Sequence, residues 1–345
     1  MHRPRLLLFL LLLPGLPLFA AGNHEQYNSG WRFNADNDLL TGQTTDRDYT
    51  GGLAFTWSGA RAQQNPVSLD KWRAGIDRLT GFGNLYRSSE HVSFHSQQAG
   101  MTLFTPDDIE SRAPVYDDRP YASLFFLSNT EFTVQPEADI AWLSRLSVGF
   151  LGLGLAEDVQ GVLHAVTGSD TPNGWQNQIS AGGEPTFLLT CAMQNKLHAS
   201  NTWQLKTEYE ANLGFITDIN AGFTWRWGRI RSPWWSFNPY QSKYIQQSMP
   251  VFSSRGRKNE FYLQAGARLN LRLYNALLQG QFRDSAVTIG SGDLRHLLAE
   301  YWLGATLEFG KAYYASVFLR GLSSEFRGPG SRNAAWVGLV FARAY

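Results

Sequence analysis

Long stretches of this chain alternate strictly between apolar and polar residues. Residues 261–273 place seven apolar side chains on one face and polar or small side chains on the other, and residues 203–213 repeat the pattern. Strands of soluble proteins usually have about 5–6 residues. A tilted strand that crosses a membrane needs about 9–11. The length of the alternation therefore favours membrane strands over a soluble sandwich.

The same alternation marks further strands along the whole chain. With the two above, the predicted strands are 27–37, 47–57, 91–104, 120–133, 140–153, 185–196, 203–213, 219–228, 261–273, 301–309, 312–320 and 335–345. Twelve is an even number, as bacterial membrane barrels require. We therefore predict an all-β fold, a closed antiparallel transmembrane β-barrel of about 12 strands.

Composition agrees with a barrel in a membrane. Charged residues make up 17% of the chain and aromatic residues 14%, and the net charge of +1 gives no indication of nucleic-acid binding. Soluble domains usually carry about 25% charged residues. The single cysteine, Cys191, excludes an intrachain disulfide framework. Trp225/Trp227 and Tyr313/Tyr314 are candidates for the aromatic girdles of such a barrel.

The first residues resemble an export signal. Arg3 and Arg5 precede an apolar stretch over 6–19, and small residues at 20–22 suit cleavage. Pro14 and Pro17 interrupt the apolar stretch, which disfavours the alternative of an uncleaved anchor helix. We predict a signal peptide over 1–22 and one barrel domain over 23–345.

Two segments have helical rather than strand spacing. Residues 68–80 place apolar side chains at helical intervals, and we interpret them as a small structural surface helix. Residues 155–168 begin with Glu157 and Asp158, which suit a helix N-terminus, and end at Gly168. This second helix carries His164, and we expect it to pack against the inner wall of the barrel near the outer rim, with Gly161 allowing close approach.

The residues alone leave two chemical questions open. A lone histidine is more often solvated or packed than catalytic, and the acidic segment over 35–52 is either a solvated loop or an oxygen-rich site of the kind that Ca²⁺ prefers. The chain has no EF-hand spacing, no HExxH, no CxxC and no GxSxG. A conventional serine esterase elbow and a zinc site are therefore disfavoured.

Several ordered motifs resemble the lipid A 3′-O-deacylase family. They are Asn37-Asp38, DRDYTGG at 46–52, DDRPYAS at 117–123, VQGVLHAVTGSDTPNGWQNQI at 159–179 and SSEFRGPG at 323–330. The resemblance spans nearly the whole mature chain, and the histidine-containing helix followed by GWQNQ is its most specific part. It implies a calcium-dependent enzyme of the bacterial outer membrane with twelve strands, acting on lipid A of lipopolysaccharide.

The resemblance also implies roles for individual residues. His164 matches the catalytic histidine, and Asn37, Asp38 and Thr50 match other essential active-site positions. Asp38 and Asn37 are the implied calcium ligands, with Asp170 as a further candidate. Adjacent basic residues of the family are absent from the loop before the DR motif, which leaves Arg112 as the substrate-binding candidate.

Ester hydrolysis fits these residue types. It needs a base that activates water and a positive group where the carbonyl oxygen gains charge. His164 supplies the base, and Ca²⁺ held by Asp38 and Asn37 would supply the positive charge. We expect a monomer. An outer-membrane phospholipase, or a barrel that is only a pore or a structural element, remains the alternative.

Overall fold

The computed structural model describes residues 25–38, 47–87, 90–167, 172–238, 241–242, 244–246, 259–310 and 312–345. Within these ranges, the side chains at 162–167, 241–242 and 245–246 are not described. The predicted signal peptide at 1–22 and the ligand candidate Asp170 lie outside these residues.

The predicted barrel is confirmed, with twelve antiparallel strands closed into one sheet. Its strands are β1 (Gly30–Asn37), β2 (Asp48–Ser58), β3 (Val92–Thr105), β4 (Ala122–Gln135), β5 (Ile140–Leu151), β6 (Glu184–Ala199), β7 (Trp203–Gly214), β8 (Ile216–Arg229), β11 (Phe261–Asn275), β12 (Leu297–Phe309), β13 (Tyr313–Leu322) and β14 (Ala334–Ala344). Each pairs with its neighbours in the chain order given, and β1 closes on β14. A short hairpin, β9 (Gln241–Ser242) and β10 (Ile245–Gln246), forms a separate pair.

Helices occupy the connections. They are α1 (Arg61–Gln64), α2 (Asp70–Thr80), α3 (Phe82–Tyr86), α4 (Leu155–Thr167) and α5 (Ala276–Gln279). The two predicted helices correspond to α2 and α4, whereas the three shorter ones were missed. Among the described residues, no helix is both long enough and apolar enough to cross a membrane.

The two ends of the barrel differ in their connections. At one end β4–β5, β6–β7 and β12–β13 are joined by turns of a few residues, whereas most connections at the other end are long. Barrels of this kind have short periplasmic turns and long extracellular loops. We therefore call the first the turn end, facing the periplasm, and the second the loop end, facing outward.

The alternating strands turn their apolar rows outward. Leu303, Phe223 and Leu263 are among many large apolar side chains that remain exposed on the outer wall, as a lipid-facing surface requires. Trp225 and Trp227 lie on that wall. Tyr314 instead points inward and lines a cavity with Tyr262, because it lies on the opposite face of β13 from Tyr313. Only one residue of that pair is therefore available to a girdle.

The interior is filled rather than hollow. Toward the loop end, one apolar cluster joins side chains from strands on all sides of the barrel, including Tyr49, Leu188, Leu298 and Trp336. This cluster explains why β12 begins at Leu297, four residues before the predicted start. Leu297 faces outward at 65% exposure and Leu298 inward at 1%, so both faces are apolar there and the alternation disappears.

The connection between β8 and β11 contributes to this filling. Trp234 and Trp235 pack against the inner apolar side chains of β4 to β6. Lys206 donates to Asn238 at 3.1 Å. Farther along, the ring of Tyr244 lies against Phe104, with ring centroids 4.7 Å apart. The segment thus enters from the turn end and reaches the loop-end cluster.

A buried ionic cluster ties the loop end together. Glu325, between β13 and β14, accepts hydrogen bonds from Arg119, Arg272 and Tyr244. Burial by itself would raise the pKa of Glu325, but the two guanidinium groups overcome that effect and lower it from 4.5 to about 2. Nearby, Arg332 bridges other parts of the chain. The cluster therefore joins connections that are more than two hundred residues apart.

Replacing the central carboxylate should weaken the fold. Glu325→Gln removes the buried carboxylate that pairs with both Arg119 and Arg272, and breaking a buried pair costs about 3–5 kcal/mol. We expect the heat-modifiable band on a gel to convert to the unfolded band at a lower temperature. Glu137→Gln, at an exposed position of the β4–β5 turn, is the matched control.

The same cluster predicts a direction for the pH dependence. Because the folded pKa of Glu325 lies below 4.5, its stabilisation is complete above pH 4.5 and is lost as the pH falls towards 2. The conversion temperature of the wild type should therefore fall more steeply across this range than that of Glu325→Gln. Equal slopes would show that Glu325 does not carry this contribution.

Candidate active site

Polar side chains interrupt the lipid-facing wall where β1 and β2 reach the loop end. Phe33 is exposed on the outer face of β1, and Asn37, four residues later, lies on the same face. Asp36 between them turns to the inner face, where it accepts a hydrogen bond from Tyr49 at 3.2 Å. The Asn37 amide nitrogen donates to the Thr50 carbonyl oxygen at 3.1 Å. Asn37 and Thr50 are therefore neighbours.

A β-bulge in β2 sets the direction of Thr50. The pairing with β3 shifts between Tyr49 and Gly51, so that Thr50 is the extra residue. Tyr49 can then point into the lumen, while the buried Thr50 hydroxyl contacts the Thr105 hydroxyl at 2.7 Å. The bulge thus produces a second polar pair beside Asn37.

Gly51 permits the close approach of β1 and β2 at this point. A Cβ atom there would lie 2.5 Å from the backbone oxygen of Asp36, which is closer than real side chains come. The glycine of the DRDYTGG motif is therefore needed for the backbone geometry that brings Asn37 to Thr50.

Asp38 continues from Asn37 into the outer connection. It is buried, and its Oδ2 accepts a hydrogen bond from the Arg47 backbone N–H at 2.8 Å. Arg47 in turn forms a salt bridge with Asp107 at 3.2 Å. These contacts fix the carboxylate of Asp38, the residue after Asn37, to the start of the segment that leads into β2.

The donor chemistry of this group suits a hard cation. Asp38, Asn37 and Thr50 offer oxygen atoms, the ligands that Ca²⁺ prefers, and no sulfur. Among the described residues, no group of three or more His, Cys, Asp or Glu side chains is arranged to hold a metal ion. The calcium ligand set, including Asp170, therefore stays a prediction.

The helix α4 packs on the outside of the barrel, so the expected position against the inner wall is wrong. Its Ala156 and Val159 contact a cluster that contains Leu103 and Phe125. Phe125 pairs directly with Phe150, which is half exposed on the outer wall. Opposed residues of an antiparallel pair share one face of the sheet. The wall contact of α4 is therefore apolar and on the lipid side.

One buried hydrogen bond fixes α4 to the segment that follows it. The Trp175 indole N–H donates to the Gln160 side-chain oxygen at 2.8 Å, and both side chains are almost fully buried. Trp175 also packs on Tyr121, with ring centroids 4.9 Å apart. Gln160 lies one turn before His164, so this bond positions the helical backbone that carries the histidine.

Two expectations about α4 have different outcomes. We expected Gly161 to allow a close approach of the helix to the wall. A Cβ atom at Gly161 would meet no described atom within 4 Å, so this expectation is wrong. The close contacts come from Ala156 and Val159 instead. The backbone of His164 is helical as predicted, but its side chain is not described, and its role stays a prediction.

Arg112 lies in the outer connection between β3 and β4. Its carbonyl oxygen accepts hydrogen bonds from the side chains of Gln176 at 2.7 Å and Asn177 at 3.0 Å. The side chain of Arg112 is exposed. The GWQNQ motif thus holds the Arg112 loop next to α4, which leaves the guanidinium group accessible at the loop end.

The structure therefore brings together part of the predicted site. At the outer ends of β1 and β2, Asn37 is hydrogen-bonded to Thr50, and Asp38, the next residue in the chain, is bonded to Arg47. The group reaches Thr105 of β3, and Leu103, two residues before Thr105, touches the α4 cluster. Thr105, Gln160 and Trp175 had not been assigned roles. A polar residue that continues an outward apolar row is the signal that would have identified Thr105.

Comparison with known proteins identifies the family of this barrel. A family model described as outer membrane protein LpxR matches residues 6–344. The solved structure of LpxR from Salmonella typhimurium matches with a TM-score of 0.67 and 17% identity, covering 92% of this chain and 100% of that one. The β domain of the Bordetella autotransporter BrkA matches with a TM-score of 0.44 and 8% identity, covering 93% of this chain and 100% of that one. A search of the curated proteins finds no match.

The family match extends over nearly the entire chain and includes every strand of the barrel. The Salmonella structure, at 17% identity, supports the same fold. The chain therefore belongs to the LpxR family of bacterial outer membrane proteins.

Proposed function

We propose that the protein is an outer-membrane esterase that hydrolyses the 3′-O-linked acyl or acyloxyacyl chain of lipid A. His164 is the general base in this proposal, and Ca²⁺ stabilises the oxyanion. Membership of the LpxR family supports lipid A deacylation at the coarser level. The residue roles rest on the resemblance of the motifs and on the arrangement of the candidate site.

The observation that carries the proposal is a polar group on the lipid-facing wall. Asn37, Thr50 and Thr105 lie at the outer end of an otherwise apolar surface. The helix α4 packs against the same outer wall beside them. Polar groups facing lipid are costly and tend to be functional. Lipid A occupies the outer leaflet, so its ester groups come to this side of the wall.

The chain's own residues would divide the reaction between them. The imidazole of His164 takes a proton from water, and the oxygen of that water forms a bond to the ester carbonyl carbon. When the carbon–oxygen bond to the sugar breaks, the imidazolium returns the proton to the leaving oxygen. The products are a free carboxylic acid and the 3′ hydroxyl group. Asn37 and Thr50 would orient the ester and the water.

Asp38 and Asn37 would hold the cation, with Asp170 as a further candidate. Bound Ca²⁺ would place positive charge near the carbonyl oxygen as that oxygen becomes negative. Arg112, exposed beside the GWQNQ segment, would contact an anionic group of the substrate, and the phosphates of lipid A have that chemistry.

Two alternatives, a pore and a phospholipase, can be distinguished from the proposed deacylase. Packing of the barrel interior bears on the first, and the identity of the substrate bears on the second. The described side chains fill the barrel interior from all sides, which disfavours a pore. An outer-membrane phospholipase would share the barrel and the ester chemistry. Mass spectrometry of lipid A and of phospholipids from cells that produce the protein separates the two enzymes, because only the proposed one removes the 3′ chain.

Replacing the proposed base should abolish activity without unfolding the barrel. Loss of general-base assistance costs about 10²–10⁴ in rate, so His164→Ala should leave little 3′ deacylation by mass spectrometry. Its heat-modifiable gel mobility should stay normal. His198→Ala is the matched control, because His198 stacks on Trp203 at the turn end. A folded His164→Ala protein with near-normal deacylation would refute the assignment.

Removing calcium should have the same effect as removing its ligand. Deacylation should stop in excess chelator and return when Ca²⁺ is added. Asp38→Ala should be inactive, and raised calcium should restore part of the activity of Asp38→Asn but none of that of His164→Ala. Glu110→Ala, at an exposed outer-loop position, is the control. Full activity in chelator would remove Asp38 from the role of ligand.

Weakening the attachment of α4 should lower activity, because the helix would position His164 less well, although no proposed catalytic residue is changed. Trp175→Phe keeps most of the packing but removes the indole N–H that donates to the buried Gln160 oxygen, at a cost of about 1–3 kcal/mol. We expect faster hydrogen exchange in residues 155–167 and slower deacylation, with the barrel's heat stability retained. Trp225→Phe on the lipid-facing wall is the control. Unchanged exchange in α4 would contradict the positioning role.

A further inference from the structure

The connection between β2 and β3 forms a helical insert, α1 to α3, that covers part of the outer wall at the turn end. Asn129 of β4 donates to the Ala62 carbonyl oxygen of α1 at 2.7 Å. Ser144 of β5 donates to Asp77 of α2 at 2.8 Å. Asn129 lies on the same strand face as Phe125, the outward-facing residue that contacts α4. The insert therefore sits outside the barrel.

The inward side of α2 is polar. Arg73 is fully buried and pairs with Glu131 of β4 at 2.7 Å and with Asp77 at 2.5 Å. Tyr86 of α3 donates to Asp77 at 2.7 Å. These contacts satisfy the carboxylate of Glu131, which would otherwise stand on a lipid-facing wall, and they attach the insert firmly to the barrel.

The outward side of α2 is apolar, the reverse of a helix on a soluble protein. Trp72 is 74% exposed and Leu79 89% exposed, and Ile76 lies between them on the same stripe. No described atom lies within 4 Å of a Cβ atom placed at Gly75, beside this stripe. Soluble helices turn such a stripe towards the core. Here nothing in the described chain covers it.

Helical spacing divides the surface of α2 into three sectors. At about 100° per residue, the stripe of Trp72, Ile76 and Leu79 lies about 120° from the wall-facing Arg73 and Asp77. The exposed Lys71 and Arg78 lie about 120° away from the stripe in the other direction. One side of the helix thus meets the wall, one is apolar and one is basic.

Outward-facing tryptophans lie in the same hydrogen-bonded row as the wall position that anchors the insert. Asn129 pairs with Gln97, and Gln97 pairs with Trp57 on the outer face of β2. Trp57 in turn pairs with Trp31 of β1. Tryptophan on the outer wall of a barrel marks the girdle at a membrane–water interface. The apolar stripe therefore continues an established lipid-facing surface around the insert.

We propose that the helical insert is a membrane-interface element that binds phospholipids of the periplasmic leaflet. Trp72, Ile76 and Leu79 enter the acyl region beside the barrel, and Lys71 and Arg78 meet the anionic headgroup phosphates. A helix with one apolar and one basic side is the usual form of such an element. The proposal is independent of the esterase site at the opposite end of the barrel.

Two neighbouring positions of α2 provide the test. In a Cys191→Ala background, Leu79→Cys and Arg78→Cys are each labelled with a small fluorescent probe. The full chain is then reconstituted in vesicles of phosphatidylethanolamine and phosphatidylglycerol. Both positions are exposed, so neither change disturbs packing, and heat-modifiable mobility confirms folding. Fluorescence is quenched from the lipid by doxyl-labelled phospholipid and from water by iodide.

The proposal expects opposite results at the two positions. The probe at 79 should lose most of its emission to doxyl-labelled lipid and be protected from iodide, whereas the probe at 78 should be quenched by iodide. Equal iodide quenching at both positions, without lipid quenching at 79, would overturn the proposal. Protection of position 79 from both quenchers would also overturn it, because a second copy of the chain would then cover the stripe.

Discussion

The whole structure depends on closure of the sheet between β1 and β14. In the hydrocarbon of a membrane no water is available to the backbone, so each strand needs a hydrogen-bonding neighbour on both sides. Residues Gly30 to Asn37 pair with Ala344 to Val337, and the same residues pair with β2 on their other side. This double pairing leaves no free edge in the barrel sheet as the structure describes it. It also fixes the outer end of β1, where Asn37 meets Thr50.

Closure creates a second constraint, because a barrel of twelve strands encloses more space than its own side chains fill. The chain fills that space in two ways. At the loop end, apolar residues from all sides join with Tyr244, and Glu325 holds Arg119 and Arg272 in place. Nearer the turn end, Trp234 and Trp235 cover the inner wall. The packed interior thus supports the wall from within, and the proposed reaction site lies on the outside.

Polar positions on the outer wall have one feature in common at both ends of the barrel. At the loop end, Asn37 and Thr50 adjoin the wall against which α4 packs. At the turn end, the polar wall positions Asn129 and Glu131 lie under α1 to α3. Lipid cannot solvate such groups, and at each end a helical connection packs on the outer wall next to the polar area. The two helical connections have different proposed roles. The helix α4 lies beside the proposed reaction site, whereas α2 presents an apolar stripe that we propose binds lipid.

The motifs that revealed the family divide into chemical and structural parts once the fold is known. In DDRPYAS, Asp118 accepts from Arg332 and Arg119 donates to Glu325 of SSEFRGPG. These residues close the loop end and take no part in the proposed reaction. In GWQNQ, Trp175 holds α4 and the two amides hold the Arg112 loop. Many residues of the shared motifs therefore hold the loops and α4 in place around the candidate site.

The sequence by itself determined the barrel, because lipid-facing strands must alternate over a length that soluble strands rarely reach. It also determined the two longer helices, and the motif resemblance pointed to the segments that hold Asn37, Asp38 and Thr50. Tertiary structure alone decided on which side of the wall α4 lies, since its apolar stripe suits the lumen and the outer wall equally. It also decided the bulge at Thr50 and the partner of Trp175. These depend on contacts between residues far apart in the chain, which local periodicity does not record.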